Sequence, residues 1–278
     1  MARILAISSE VVRGHVGLRA IVPALQALGH EVWPLPTVLL SNHPGHSRYE
    51  RVEIPASKIT AIVDAIEANG WLAEVDAVVT GYLPTAAHVA AAVKVLSRLK
   101  SVRTIRYLCD PVLGDHPKGL YIDARAAKAL RDELLPLADV VTPNRFELGW
   151  LLEAPVSSLR EVEAGARALG RPMTVVTSAA VDEERMATVL AAGDQTLRCW
   201  SALVPAAPNG SGDLLAALLL GHLVNGSAPA AALGQAVGAV AQVIAASQGN
   251  DELNLAAAGR WADAPSGEVE RVVVRPNG

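Results

Sequence analysis

The sequence predicts an α/β fold built on a mostly parallel sheet, carried by a single domain over residues 1–278. Three observations lead there. Short apolar runs rich in β-branched residues alternate with longer stretches of helical period, and the order helix, strand, loop recurs along the chain. A chain of 278 residues with 51% hydrophobic side chains can bury one large core, and alternating strands and helices commonly reach that length as one unit. The apolar runs also end in polar side chains, and a parallel sheet gathers such ends along one edge.

Residues 4–8 read as a first buried strand, too short in its apolar part for a signal peptide. Gly14-His15-Val16-Gly17 is then a loop, and residues 18–28 have helical period. Residues 32–35 form a second strand that runs through residues 37–40 into Ser41-Asn42-His43-Pro44-Gly45-His46, a loop dense enough in donors to cover a ligand or to be an ordinary surface turn. An amphipathic helix over 57–68 takes Ser57 as its N-cap, and residues 77–80 are a buried strand ending at Gly81-Tyr82. A helix over 85–99 leads to a strand over 104–109, whose end carries Asp110. Residues 112–121 have no period and read as a long loop and a lid.

The second half continues in kind. Residues 124–134 are helical, residues 139–142 are a strand, and Pro143-Asn144-Arg145-Phe146-Glu147 opens the next helix. A helix over 158–169 and a strand over 173–178 follow, then a hairpin pairing 187–191 with 196–200. An Ala-rich helix over 229–247 suits close packing on the sheet, and residues 269–274 read as an edge strand. No internal repeat or linker interrupts this order.

Composition and missing motifs exclude several classes. A net charge of -4 and the lack of a basic run with aromatics give no field for nucleic acid. No uninterrupted apolar stretch reaches the roughly 18 to 20 residues of a membrane span. Cys109 and Cys199 make no disulfide framework, and a cytoplasmic location is the expectation. The P-loop, the dinucleotide fingerprint, H-E-x-x-H, C-x-x-C and the nucleophile elbow are all absent. His15, His30, His43, His46, His88, His116 and His222 are scattered without the spacing of zinc ligands.

The stretch with the most chemical content is Pro208-Asn209-Gly210-Ser211-Gly212-Asp213, which runs directly into the apolar residues 214–220. A glycine loop that feeds a strong helix former leaves several backbone N–H groups unpaired, and the helix dipole favours an anion there. Asp213 brings a carboxylate to the same place. Two negative groups repel each other unless the carboxylate acts on a hydroxyl that attacks phosphorus, which points to phosphoryl transfer. The same residues also suit a plain turn capped by Ser211 or Asp213. The polar ends of separate strands, Ser9, Tyr82, Asp110, Thr142 and Thr177, belong to the same edge.

In five blocks the chain resembles the pyridoxal kinases of the ribokinase-like superfamily. The blocks are residues 9–17, residues 33–43, Cys109-Asp110-Pro111-Val112-Leu113-Gly114-Asp115, Thr142-Pro143-Asn144-Arg145-Phe146-Glu147, and Gly210-Ser211-Gly212-Asp213. The resemblance implies a three-layer sandwich, with helices on both faces of the sheet. It further implies transfer of the ATP γ-phosphate to the 5'-hydroxymethyl of pyridoxal, pyridoxine or pyridoxamine, with Mg2+, a monovalent cation such as K+, and a homodimer.

By match to that pattern, Asp213 is the base and Gly210, Ser211 and Gly212 are the anion hole. Ser9 bonds the pyridine ring, Val16 and Tyr82 contact its face, Thr37 lies on the substrate side, and the loop at His43 and Gly45 closes over it. Asp110 and Glu147 organise Mg2+ and water, as suits a hard cation. Thr142, Asn144, Thr177 and Ser178 lie along the nucleotide, Leu203 and Val204 lie near the adenine, and Tyr121 is the lid aromatic. The chain departs from the pattern at Glu10, Leu18 and Pro44, where the family commonly has His, Asn and Thr. These positions touch the acceptor side, so a hydroxymethylpyrimidine kinase and a non-catalytic pyridoxal-binding protein stand as alternatives.

Overall fold

A computed structural model describes residues 1–182, 184–205 and 207–272, without the side chain of Val181. The first strand, β1 (Arg3–Val11), is buried on both faces because its neighbours cover it from either side. Ile4 and Ala6 face a core built with α1 (Leu18–Ala27), α7 (Ser211–Val224) and α8 (Pro229–Ala246). Leu5 and Ile7 face a second core built with α2 (Ala56–Ala68), α3 (Ala86–Val102) and α4 (Ala124–Ala129). Alternate side chains therefore enter opposite layers, which is the geometry of a pleated strand between two helical sheets of cover. The three-layer sandwich of the ribokinase-like fold is the result.

Six strands run parallel: β1, β2 (Glu31–Leu40), β4 (Ala77–Thr80), β5 (Arg106–Cys109), β8 (Val140–Val141) and β9 (Met173–Val181). One edge is closed by antiparallel β3 (Arg51–Glu53), the other by β10 (Arg185–Ala192), β11 (Gln195–Ala202) and β12 (Val269–Arg271). The order is β12-β11-β10-β9-β8-β5-β4-β1-β2-β3. From β1 the chain turns outward to β2 and later returns to β4 on the other side, so the crevice lies at the carboxyl end of β1. A third cluster packs α5 (Arg145–Leu152) and α6 (Leu159–Ala168) against β9 and β10.

Several boundaries differ from expectation. The N-cap of α2 is Pro55, without a side-chain cap, and Ser57 lies inside the helix, because Lys58 N already bonds Pro55 O at 2.8 Å. The helix expected over 124–134 is α-helical only to Ala129 and then widens, with Pro136 ending the regular hydrogen bonding soon after. The lid contains a small hairpin of β6 (Gly114–Asp115) and β7 (Gly119–Leu120). Of the expected edge strand, residues 273 and 274 lie outside the described residues. Against the expectation for apolar stretches, α8 is long and apolar enough over its 18 residues to match a membrane span. It packs on α7 and β11, however, as a core helix does.

The close packing of α8 rests on small residues, since a Cβ on Gly238 would collide with the carbonyl oxygen of Pro265. Gly238→Ala should therefore lower the unfolding free energy in urea by about 1–3 kcal/mol. An unchanged midpoint would show that this segment yields freely.

Candidate active site

The carboxyl ends of the parallel strands are held level by a run of backbone bonds. Gly81 N donates to Ile7 O at 2.9 Å, Asp110 N to Thr80 O at 2.9 Å, Thr142 N to Cys109 O at 3.1 Å, and Thr177 N to Pro143 O at 3.0 Å. Each polar strand end thereby reaches the same edge. Helix α7 sits over the middle of that edge with every residue from Leu214 to Leu223 buried, in contact with α1 on one side and α8 on the other. Its first turn cannot drift.

Gly210 is the N-cap of α7 at φ 101°, a left-handed conformation that glycine adopts at little cost, and no side chain caps the helix. The plain capped turn is thereby set aside. A Cβ on Gly210 would collide with the carbonyl of His15, so the loop must lie directly against the His15-Val16 backbone. Gly212 has no atom near its missing Cβ and faces open space. First-turn N–H groups have no intrahelical partner, so this N-terminus presents donors to the cleft.

Asp213 is half-buried in the first turn, and Gly81 lacks the Cβ that would stand 3.8 Å from its Oδ1. Burial pushes its carboxyl up to about 6, against the pull of the Gly17 N–H. Asp110 is buried at 7% exposure, and its Oδ1 accepts from the Thr142 hydroxyl at 2.8 Å. Burial first and the Asp213 charge second push Asp110 up to about 7. Glu147 is raised well above the carboxylate range by burial and by Asp110. Three acids crowd one poorly hydrated edge.

Glu147 is bound differently from the sequence expectation. Its Oε1 accepts from Leu113 N at 2.9 Å and Gly114 N at 3.4 Å, and its Oε2 accepts from Asn144 N at 2.8 Å. Asn144 returns the bond to Glu147 N at 2.9 Å and donates from Nδ2 to Gly114 O at 2.9 Å. This capping box, with the bonds to Leu113 and Gly114, fastens the base of the lid hairpin. Tyr121 lies in that lid, half-exposed, and burial together with Asp115 and Glu147 pushes its phenol up to about 12.

As a site for Mg2+, the set fits a mostly hydrated ion. Among the described residues no cluster of three or more ligating side chains exists, and Glu147 has both oxygens taken. Asp110 bonds Thr142 through Oδ1 and has Oδ2 to offer. One carboxylate, water and substrate phosphates are what Mg2+ ordinarily accepts.

The acceptor side forms at β1, β2 and β4. Val16 and Tyr82 join Val11, Val38 and Leu40 in one small apolar cluster. The backbone of Tyr82 is pinned at both ends, its N–H donating to Ser8 Oγ at 3.1 Å and its carbonyl accepting from Thr37 Oγ1 at 2.8 Å. Thr37, expected on the substrate side, bonds the backbone that carries Tyr82. Ser9 falls at a register shift between β1 and β2 and lies against Gly17, where any Cβ would collide with it. The flap residue His43 accepts from Gly45 N at Nδ1, 3.0 Å away, which leaves the proton on Nε2, and burial lowers its pKa. A Cβ on Gly45 would be 3.9 Å from Asn209 Nδ2, so flap and anion loop are neighbours.

Two expectations come out less directly. Leu18 is buried at 1% exposure in the core between α1 and α7, so its side chain does not face the cleft. Leu203 and Val204 follow β11, and Leu203 N donates to Glu184 O at 2.7 Å; no hydrogen bond among the described residues ties them to the carboxylates. Thr177 and Ser178 lie on a bulge of β9, with Ser178 at φ 48°. Ser8, Gly17, Gly81 and Asn209 stand in or beside the stretches quoted from sequence but were given no role there. The signal was present in the glycines, each placed where a neighbour's polar atom needs the room.

A family model described as phosphomethylpyrimidine kinase matches residues 16–255. A pyridoxal kinase of Corynebacterium diphtheriae is 35% identical over 250 residues, 87% of this chain and 88% of the relative. A pyridoxine/pyridoxal/pyridoxamine kinase of Bordetella bronchiseptica is 35% identical over 230 residues, 80% of this chain and 81% of the relative. The pyridoxal kinase of Leishmania donovani, solved with ADP and pyridoxamine, superposes with a TM-score of 0.89 at 26% identity, covering 98% of this chain and 100% of that one.

The carboxylate crowding has a sign that can be checked. Asp110 holds its proton in the folded chain up to about pH 7 and loses it near 3.8 when unfolded, so ligand-free stability should fall as pH rises from about 4 to 7. Asp110→Asn, which can still accept from Thr142, should raise the melting temperature at pH 8 by at least about 2 °C and leave it unchanged at pH 4. Equal melting temperatures at pH 8 would contradict the crowding.

Proposed function

The chain belongs to the phosphomethylpyrimidine kinase family, among relatives named pyridoxal kinases, and from that premise we propose that it phosphorylates the 5'-hydroxymethyl group of vitamin B6 with ATP. The observation that carries this function is the placement of Asp213 beside an uncapped α7 N-terminus, with Asp110 across from it. An anion loop without a nearby carboxylate would suit phosphate binding alone. Asp213 at that loop suits removal of a proton from an attacking alcohol.

In the proposed reaction the acceptor oxygen attacks the γ-phosphorus while the bond from γ-phosphorus to the β–γ bridging oxygen breaks, and ADP leaves with that electron pair. Asp213 takes the hydroxyl proton. In a loose transition state the alcohol keeps that proton until late, so a carboxylate with a pKa of about 6 is basic enough. The N–H groups of Gly210, Ser211 and Gly212 face the charge that develops on the transferring group, in a geometry already set before substrate arrives. Val16 and Tyr82 give the flat ring an apolar face, and the His43 flap closes over it. Mg2+, held through Asp110 and by water near Glu147, would neutralise phosphate charge. The homodimer and the cytoplasmic location implied by the resemblance belong to the same proposal. The vitamin is favoured over a hydroxymethylpyrimidine because the relatives at 35% identity carry the pyridoxal name.

Asp213→Asn should bind ATP nearly as the parent does and lose kcat on the order of 100-fold or more. An unchanged kcat would remove Asp213 as the base. Because the missing Cβ of Gly212 meets no protein atom, Gly212→Val should fold normally and yet fail to use ATP, a β-branched side chain filling the phosphate approach. A folded Gly212→Val enzyme with parent activity would defeat the anion-hole assignment.

A further inference from the structure

Glu252 is buried at 8% exposure, and no role described for the cleft uses it. Its Oε1 accepts from His46 Nε2 at 2.8 Å and from Arg13 Nη1 at 3.3 Å. His46 belongs to the flap that carries His43 and Gly45. Arg13 belongs to the loop between β1 and α1 that carries Val16 and Gly17, and it also holds Asp251 by two bonds of 2.9 Å. The next residue, Leu253, accepts from His15 Nδ1 through its carbonyl at 2.7 Å. A Cβ on Gly14 would collide with the Glu252 carboxylate, so that loop is shaped around it. The anchoring segment is itself fixed, since Asn254 N donates to Ser247 Oγ at 2.8 Å and that hydroxyl donates to Val243 O at 2.6 Å in α8.

The flap depends on this point. Residues 44, 45 and 47–50 are exposed, so little apolar burial offsets the entropy of ordering them. The bonds within the flap join it to itself: Asn42 Nδ2 to the carbonyls of His43 and Arg48, and Glu50 N to Ser41 Oγ. Among the described residues, the His46–Glu252 contact is the one hydrogen bond from residues 42–49 to the chain outside the flap. None of these bonds reaches Asp110, Thr142 or Asn144.

We propose that Glu252 is a positioning residue that latches the flap, through His46, onto the Arg13–Gly17 loop and so sets the acceptor side of the cleft. The proposal rests on the kinase function proposed for this cleft. A buried carboxylate accepting from two cationic or polar donors fixes their relative placement more firmly than a neutral contact would. Its loss releases the flap, and the change falls on the acceptor and spares ATP.

The test compares His46→Ala, Glu252→Ala, the double variant and His46→Gln, whose amide N–H can still donate to Glu252. Acceptor KM for pyridoxal should rise about 10-fold in each single alanine variant, with kcat and the KM for ATP within about 2-fold of the parent. The double variant should be no worse than the weaker single one, and His46→Gln should stay near the parent. Amide hydrogen exchange over residues 42–50 should quicken in the alanine variants alone. Unchanged acceptor KM and flap exchange, additive effects, or a KM for ATP that rises in step would each overturn the latch. Should Glu252→Ala fail to fold, His46→Ala against His46→Gln gives the same decision. A parent enzyme that phosphorylates no acceptor sinks the kinase function by itself, while flap exchange in the His46 pair still decides the latch.

Discussion

Asp110, Glu147 and Asp213 stand at one edge of the sheet, where water is scarce and like charges repel. Such an arrangement costs stability in the empty protein, and folding tolerates it because the surrounding backbone leaves no alternative. Thr142 fixes one carboxyl, the lid backbone and Asn144 fix the second, and the first turn of a helix buried from Leu214 to Leu223 fixes the third. The acids are spread along the edge instead of converging into a metal cage. They therefore suit partners that bring their own cationic and anionic groups, as a magnesium-bound polyphosphate does.

The rest of the cleft follows from bringing backbone close to those acids. Gly210, Gly17 and Gly81 occupy points where a Cβ would strike the His15 carbonyl, Ser9 or Ser8. At Gly210 and Gly17 the positive φ imposes the same choice. The acceptor pocket is assembled from three separate segments, which meet at Tyr82 through Ser8 and Thr37 and at Glu252 through Arg13 and His46. Among the described residues, neither junction bonds Asp110, Thr142 or Asn144.

The parallel core was legible because its strands are apolar runs that end in single polar residues, and the hydrogen-bond ladder carries those ends to one edge as a parallel sheet must. The start of α7 was legible for a related reason: a glycine loop that feeds a leucine-rich run marks where a helix begins. Strand β3 was not, since Arg51-Val52-Glu53 is a short exposed pairing with no periodic pattern to announce it. Nor was the lid hairpin, made of pairs of residues. Glu147 was read as a carboxylate of that edge, but the bonds it accepts from Leu113 N and Gly114 N depend on backbone positions in the lid. Leu18 looked like a change on the acceptor side, and only the direction of its side chain into the α1–α7 core reveals otherwise.

The proposed reaction transfers a phosphoryl group from ATP to the hydroxymethyl of vitamin B6. The most direct measurement is ATP-dependent phosphorylation of pyridoxal, pyridoxine, pyridoxamine and hydroxymethylpyrimidine side by side with Mg2+ present. The expected result is a 5'-phosphorylated vitamer formed with kcat/KM at least about 10-fold above that for the pyrimidine, a difference of about 1.4 kcal/mol in transition-state binding. Pyridoxal that binds without phosphate transfer, or a pyrimidine phosphorylated in preference to every vitamer, would contradict it.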